Sequence, residues 1–108
     1  MDDFGINEMQ NMQKRLQDTY KDKWEPISPE TGKSKLLRLV GEVGEVIDIV
    51  KKNNACELLS DNKQRKELIE ELADVLMYYN DVLLCYGISA DELKRAYTEK
   101  FDRNMARW

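Results

Sequence analysis

Four carboxylates stand out by type and spacing. Glu42 and Glu45 lie three residues apart, and so do Glu71 and Asp74. Residues three apart on a helix project to one side. The first pair borders an apolar line through Leu39, Val46 and Ile49. The second belongs to an acidic line, Glu67, Glu71, Asp74, Tyr78 and Asp81, beside a stripe of Leu68, Leu72, Val75, Tyr79, Val82 and Tyr86 in alternating spacings of four and three. If the two segments pack as neighbouring helices, four carboxylates converge among apolar side chains. Unpaired charges are costly in such a place, so the cluster calls for a cation. Donors that are all hard oxygens, with no nitrogen or sulfur, favour Mg2+ or Mn2+ over zinc.

One acidic pair alone means little. With 21 acidic residues in 108, roughly four such pairs arise by chance, and a solvated helix face is the ordinary reading of any of them. Asp22 with Glu25 and Glu99 with Asp102 are read as accidents of that kind. Glu67, Glu70, Asp48 and Asp81 are weaker candidates, with solvent exposure or ion pairing as the expectation. Two pairs, each bordering an apolar seam on adjacent helices, carry more weight.

The totals narrow the chemistry. The chain contains no histidine, which removes Ser-His-Asp and Cys-His catalysis and the common zinc sites. Hydrolysis would have to rest on carboxylates, with an oxygen-held metal. A net charge of −4 argues against a nucleic-acid polymer or an anionic membrane as partner. No apolar run reaches membrane-spanning length, and the expectation is a soluble, cytoplasmic protein. Cys56 and Cys85 form no spaced metal motif and are expected as free thiols, buried or half-buried. The length suits a single domain, residues 1–108.

The elements that must position the acids read as helices. Asn7 with Gln10 resembles a capping box, with Ile6 just outside, opening a helix that ends near Lys23; residues 1–5 are expected to fray. Pro26, Pro29 and Gly32 break the segment Trp24–Lys33. A second helix covers Ser34 to about Lys52, where Leu36, Val40, Val43, Ile47 and Val50 form a seam expected to pack on its counterpart. Asn53 and Asn54 suit its C-terminal cap, and residues 55–60 form a helical turn. Asp61 with Gln64 caps a central helix that runs to Tyr86. Gly87 stops it. Ser89 with Glu92 opens a last helix, about Ala90 to Met105, whose apolar side is Leu93, Tyr97, Phe101 and Trp108. The predicted architecture is an all-α, four-helix bundle. Met77 and Leu84 point away from the seam and need a cover, which predicts a homo-oligomer, dimer or tetramer.

Further residues have two readings. Trp24 either docks on the core, the favoured reading for so large a side chain, or stacks on a planar ligand. Lys100, Asn104 and Arg107 share a face of the last helix, with Arg103 nearby; they form either a solvated basic strip suited to a helix C-terminus or contacts to phosphate and sugar.

The stretch Leu39-Val40-Gly41-Glu42-Val43-Gly44-Glu45-Val46, followed by Glu70-Glu71-Leu72-Ala73-Asp74-Val75, resembles the E-x-x-E … E-x-x-D signature of MazG-type nucleotide pyrophosphohydrolases. That family belongs to the all-α NTP pyrophosphatase superfamily. The tail from Lys100 to Trp108 resembles the K-x-x-x-N-x-x-R ending of dCTP pyrophosphatase-like members. The resemblance spans about residues 24–108. It implies Mg2+-dependent hydrolysis of nucleoside triphosphates, dNTPs foremost, between the α and β phosphates, giving a monophosphate and pyrophosphate, and a role in clearing non-standard or excess nucleotides. It implies Glu42, Glu45, Glu71 and Asp74 as metal ligands, with Glu45, or else Glu42, as the base that activates water. It implies Lys100, Asn104 and Arg107 on the phosphates or sugar, Tyr78 on the sugar or base, and Trp24 on the base. The alternatives are a sister activity on phosphoribosyl-ATP or dUTP, and a non-catalytic helical bundle that binds a nucleotide or a protein.

Overall fold

The computed structural model describes residues 4–107. The expectations for residues 1–3 and for Trp108 lie outside the described residues. Helix α1 spans Ile6–Thr19. A short 3-10 turn, Pro29–Thr31, leads into α2, Gly32–Lys52. Helix α3 is a brief segment, Ala55–Leu59, followed by α4, Lys63–Cys85, and α5, Ala90–Arg107. No strand occurs among the described residues, so the all-α expectation holds.

The helix ends follow local chemistry, and several differ from expectation. Gly5 caps α1: its backbone N–H donates to the Glu8 carboxylate at 2.9 Å, and Ile6 is the first helical residue. The anticipated Asn7–Gln10 box does not form, because the Gln10 amide instead donates to the Ile88 carbonyl at 3.1 Å. Helix α1 stops at Thr19, short of Lys23. Asn62 caps α4 in place of Asp61, its side chain accepting the Arg65 N–H at 3.0 Å. Asn53 donates to the Ile49 carbonyl at the end of α2, while Asn54 caps α3. Gly87 takes a φ of 63°, and the Ile88 N–H returns to the Leu83 carbonyl, which stops α4 as expected. Ser89 and Glu92 exchange hydrogen bonds as a capping box.

Helices α2 and α4 form an antiparallel hairpin that is the most extensive contact in the fold, and α1 packs across α4. The expected seam is not the one that closes this hairpin. Leu36, Val40, Val43, Ile47 and Val50 all remain exposed, Val40 by 67%. Helix α2 instead turns the face carrying Lys35, Leu39, Glu42, Val46 and Ile49 toward α4. A repeat of fours and threes identifies an apolar stripe but not the surface that covers it. Here two such stripes flank the acidic line, and the polar side chains lie in the contact. Helix α5 rests against α1 and projects outward, leaving Tyr97, Phe101 and Met105 exposed. The chain therefore does not close a four-helix bundle by itself. Its radius of gyration is 16.3 Å, against about 13 Å for a compact domain of this length.

Cys85 is buried as expected, whereas Cys56 is exposed. Gly32 sits at a close approach: a Cβ there would meet the Tyr86 ring unless that side chain shifted. No described helix is long and apolar enough to cross a membrane.

Candidate functional site

The facing surfaces of α2 and α4 carry a ladder of polar side chains. On α2 the order is Lys35, Arg38, Glu42, Glu45; on the antiparallel α4 it is Asp81, Tyr78, Asp74, Glu71. Spacings of three and four keep each set on one side. At one end of the ladder, Glu42, Glu45 and Glu71 each offer a carboxylate oxygen, and these oxygens lie within 4.8 Å of one another. Asp74 is not part of this closest triad, but its charge acts on Glu42.

The electrostatics are those of crowded acids. Hydrogen bonds from Glu45 and then Glu42, followed by burial and the charges of the same two neighbours, hold the Glu71 carboxyl up to about 7. Burial is the main cause that raises Glu42; its hydrogen bond to Glu71 opposes this, and the charges of Glu45 and Asp74 add to it. Glu42 Oε2 and Glu71 Oε2 are both shielded from solvent and have no hydrogen-bond partner. Buried carboxylate oxygens rarely stay unpaired, and oxygens converging from two helices match the donor set of a hard divalent cation. On the far side of the triad, Asp48, Lys52, Glu67 and Glu70 line an open acidic groove.

The other end of the ladder opens into a cleft of about 360 Å³ whose wall includes Asp74, Tyr78, Trp24, Arg38, Lys35 and Asp81. Trp24 does not dock on the core. It is half exposed and stacks on Tyr20, with ring centroids 4.8 Å apart, so its indole forms part of the cleft rim. Tyr78 lines the same cleft. Asp81, expected in solvent or in an ion pair, is 2% exposed and faces the buried Lys35 ammonium at 3.8 Å. Gln17 donates to its other oxygen at 3.3 Å. Burial raises the Asp81 carboxyl, against hydrogen bonds from Gln13 and Gln17 and the charge of Lys35.

Lys100, Asn104 and Arg107 lie together on α5. All three are exposed on the projecting α5. Sequence reasoning missed Lys35, Arg38, Gln13 and Gln17. The signal for the first two was present: continuing the Glu45–Glu42 spacing back by four and three residues reaches Arg38 and Lys35. Gln13 and Gln17 gave no signal, because only the crossing of α1 over α4 brings them to Asp81.

Comparison with known families matches residues 30–106 to the MazG nucleotide pyrophosphohydrolase domain. No curated protein and no solved structure matches the chain.

Proposed function

The chain belongs to the MazG nucleotide pyrophosphohydrolase family, and from that premise we propose that it hydrolyses nucleoside triphosphates, dNTPs foremost, to the monophosphate and pyrophosphate with Mg2+, clearing non-standard or excess nucleotides. One observation carries the reading: Glu42, Glu45 and Glu71 converge from two helices while two of their buried oxygens lack any partner.

In this reading Glu42, Glu45, Glu71 and Asp74 hold the cation; Mn2+ would satisfy the same oxygens. When bound, it neutralises phosphate charge and makes water a better nucleophile. The remaining work falls to the chain. Glu45, the exposed member of the triad, takes a proton from the attacking water, with Glu42 as the other choice. The water oxygen bonds to phosphorus, the bridge between the α and β phosphates breaks, and pyrophosphate leaves. Asp74 lies where the carboxylates adjoin the cleft, which supports phosphate binding on one side of it and nucleoside binding on the other. Tyr78 then borders the sugar and Trp24 the base.

A homo-oligomer, dimer or tetramer, completes the proposal. The uncovered stripe of α2 and the apolar face of α5 are surfaces that a second copy would bury. In such an assembly Lys100, Asn104 and Arg107 of one copy would meet the triphosphate held by another.

The test is incubation with a panel of dNTPs and NTPs, with Mg2+ or with a chelator, followed by detection of pyrophosphate. Release that depends on Mg2+ supports the proposal. No release from any nucleotide leaves the non-catalytic binding bundle in its place.

A further inference from the structure

A buried lysine is expensive unless its ammonium is well satisfied. Lys35 is 6% exposed, yet the Asp81 oxygen it faces is 3.8 Å away, beyond an ordinary hydrogen bond. No other described residue accepts a hydrogen bond from it. Asp81, in contrast, is crowded with donors: Lys35 on one oxygen, Gln17 on the other, and Gln13 beside them. The carboxylate is held on three sides, and the lysine has N–H groups to spare. Both side chains line the cleft that adjoins Asp74.

Height along the ladder identifies what those donors meet. Lys35 precedes Glu42 by two helical turns on the same face, about 10 Å along the axis. Asp81 follows Asp74 by the same interval. Triphosphate oxygens held at the carboxylates put the sugar at the height of Arg38 and Tyr78, and the base at the height of Lys35. Resting on the proposed function, we infer that Lys35, held in place by Asp81, is a specificity-determining residue that donates to a ring carbonyl oxygen of the nucleobase, so that carbonyl-bearing bases are preferred over adenine. Adenine has no carbonyl, and its exocyclic amine would set donor against donor. A buried donor left unpaired by one substrate and satisfied by another discriminates strongly between them. Asp81, Gln17 and Gln13 are positioning residues in this account.

The experiment compares kcat/KM for the four common dNTPs and for dITP, which differs from dATP by a carbonyl in place of the amine. Carbonyl-bearing substrates should exceed dATP by about tenfold or more. Lys35→Met should erase that ratio by raising KM for the carbonyl-bearing substrates, with kcat held within about threefold. Lys35→Met alone leaves Asp81 buried without its cation, so K35M combined with D81L, which removes both charges, serves as the folded control and should lose the same selectivity. The inference is overturned if dATP ranks with the best substrates, or if either folded variant keeps the wild-type ratio. Titration of Trp24 fluorescence in a Trp108→Phe background, with Mg2+ and non-hydrolysable dITP and dATP analogues, separates this inference from the one beneath it. Selective binding without pyrophosphate release sinks the catalytic reading alone. Release without selectivity sinks the role of Lys35 alone. Neither binding nor release sinks both.

Discussion

Glu45 and Glu71, on antiparallel helices, bring carboxylate oxygens within 4.8 Å of one another, and the interaction with Glu45 is the largest reason the Glu71 carboxyl is held up to about 7. Two carboxyl groups can share a hydrogen bond only if one keeps its proton. Without a cation the cluster therefore relieves its repulsion by protonation. A divalent ion would relieve the same repulsion, so proton and cation compete for one set of oxygens.

Stability should report that competition. The Glu71 carboxyl is raised in the folded protein from an ordinary value of 4.5 to about 7, so between these values the folded state holds more protons than the unfolded chain. The stability of the cation-free protein must then fall as pH rises through this window. Thermal melts in chelator should show a lower Tm at pH 8 than at pH 5. Mg2+ should restore Tm at pH 8 and do little at pH 5. A Tm in chelator that does not fall between pH 5 and pH 8 contradicts the coupling.

Removing single charges should separate the site from the fold. Glu71→Gln takes away the raised carboxyl, and Asp74→Asn takes away the acid that borders the cleft. Each should lower pyrophosphate release by about a hundredfold or more, since losing even an outer-shell partner of a metal ligand costs about 10- to 100-fold. Circular dichroism should show the helices retained, and Glu71→Gln should flatten the fall of Tm with pH. Activity within threefold of wild type in both variants would remove these residues from the chemistry.

The uncovered surfaces give a prediction about assembly. Val40, exposed by 67%, and Phe101, by 55%, lie on faces that this chain leaves open. Light scattering should find a dimer or tetramer at micromolar concentration. Val40→Glu should shift it toward monomer, because burying an unpaired charge at a packed contact is costly. Mixing two inactive proteins, Glu71→Gln and Lys100→Ala, should restore a measurable share of the activity if one copy completes the site of another. A stable wild-type monomer, or mixtures as inactive as their components, would contradict the shared site.

Gly32 offers a test of packing far from the acids. Any Cβ there meets the Tyr86 ring. Tyr86 is half exposed and can move aside, so Gly32→Ala should destabilise by only about 1 kcal/mol. Adding Tyr86→Ala should recover part of that loss in a denaturant titration.

Much of this arrangement was legible in the sequence, and the reason differs from element to element. Gly87 and the Ser89–Glu92 box mark their helix ends because the chemistry that stops or starts a helix there is local. The paired spacing of Glu42 with Glu45 and of Glu71 with Asp74 placed each pair on one face. Which faces meet was not legible. The stripe from Leu36 to Val50 has the regularity of a seam, yet it stays uncovered, because regularity marks an apolar stripe without saying what packs on it. Gln13 and Gln17 were invisible for a related reason: they matter only because α1 crosses α4 beside Asp81. The size of Trp24 points to the core, whereas Tyr20 stacks on it at the cleft rim.

The central claim is that facing carboxylates on α2 and α4 direct water to the linkage between the α and β phosphates. Phosphorus-31 NMR of the protein with Mg2+ and a dNTP panel reads this most directly, because the products identify the bond that broke. The account predicts resonances of a nucleoside monophosphate and pyrophosphate in equal amounts, absent in Glu71→Gln. A diphosphate with orthophosphate, or unchanged triphosphate from every nucleotide, would contradict it.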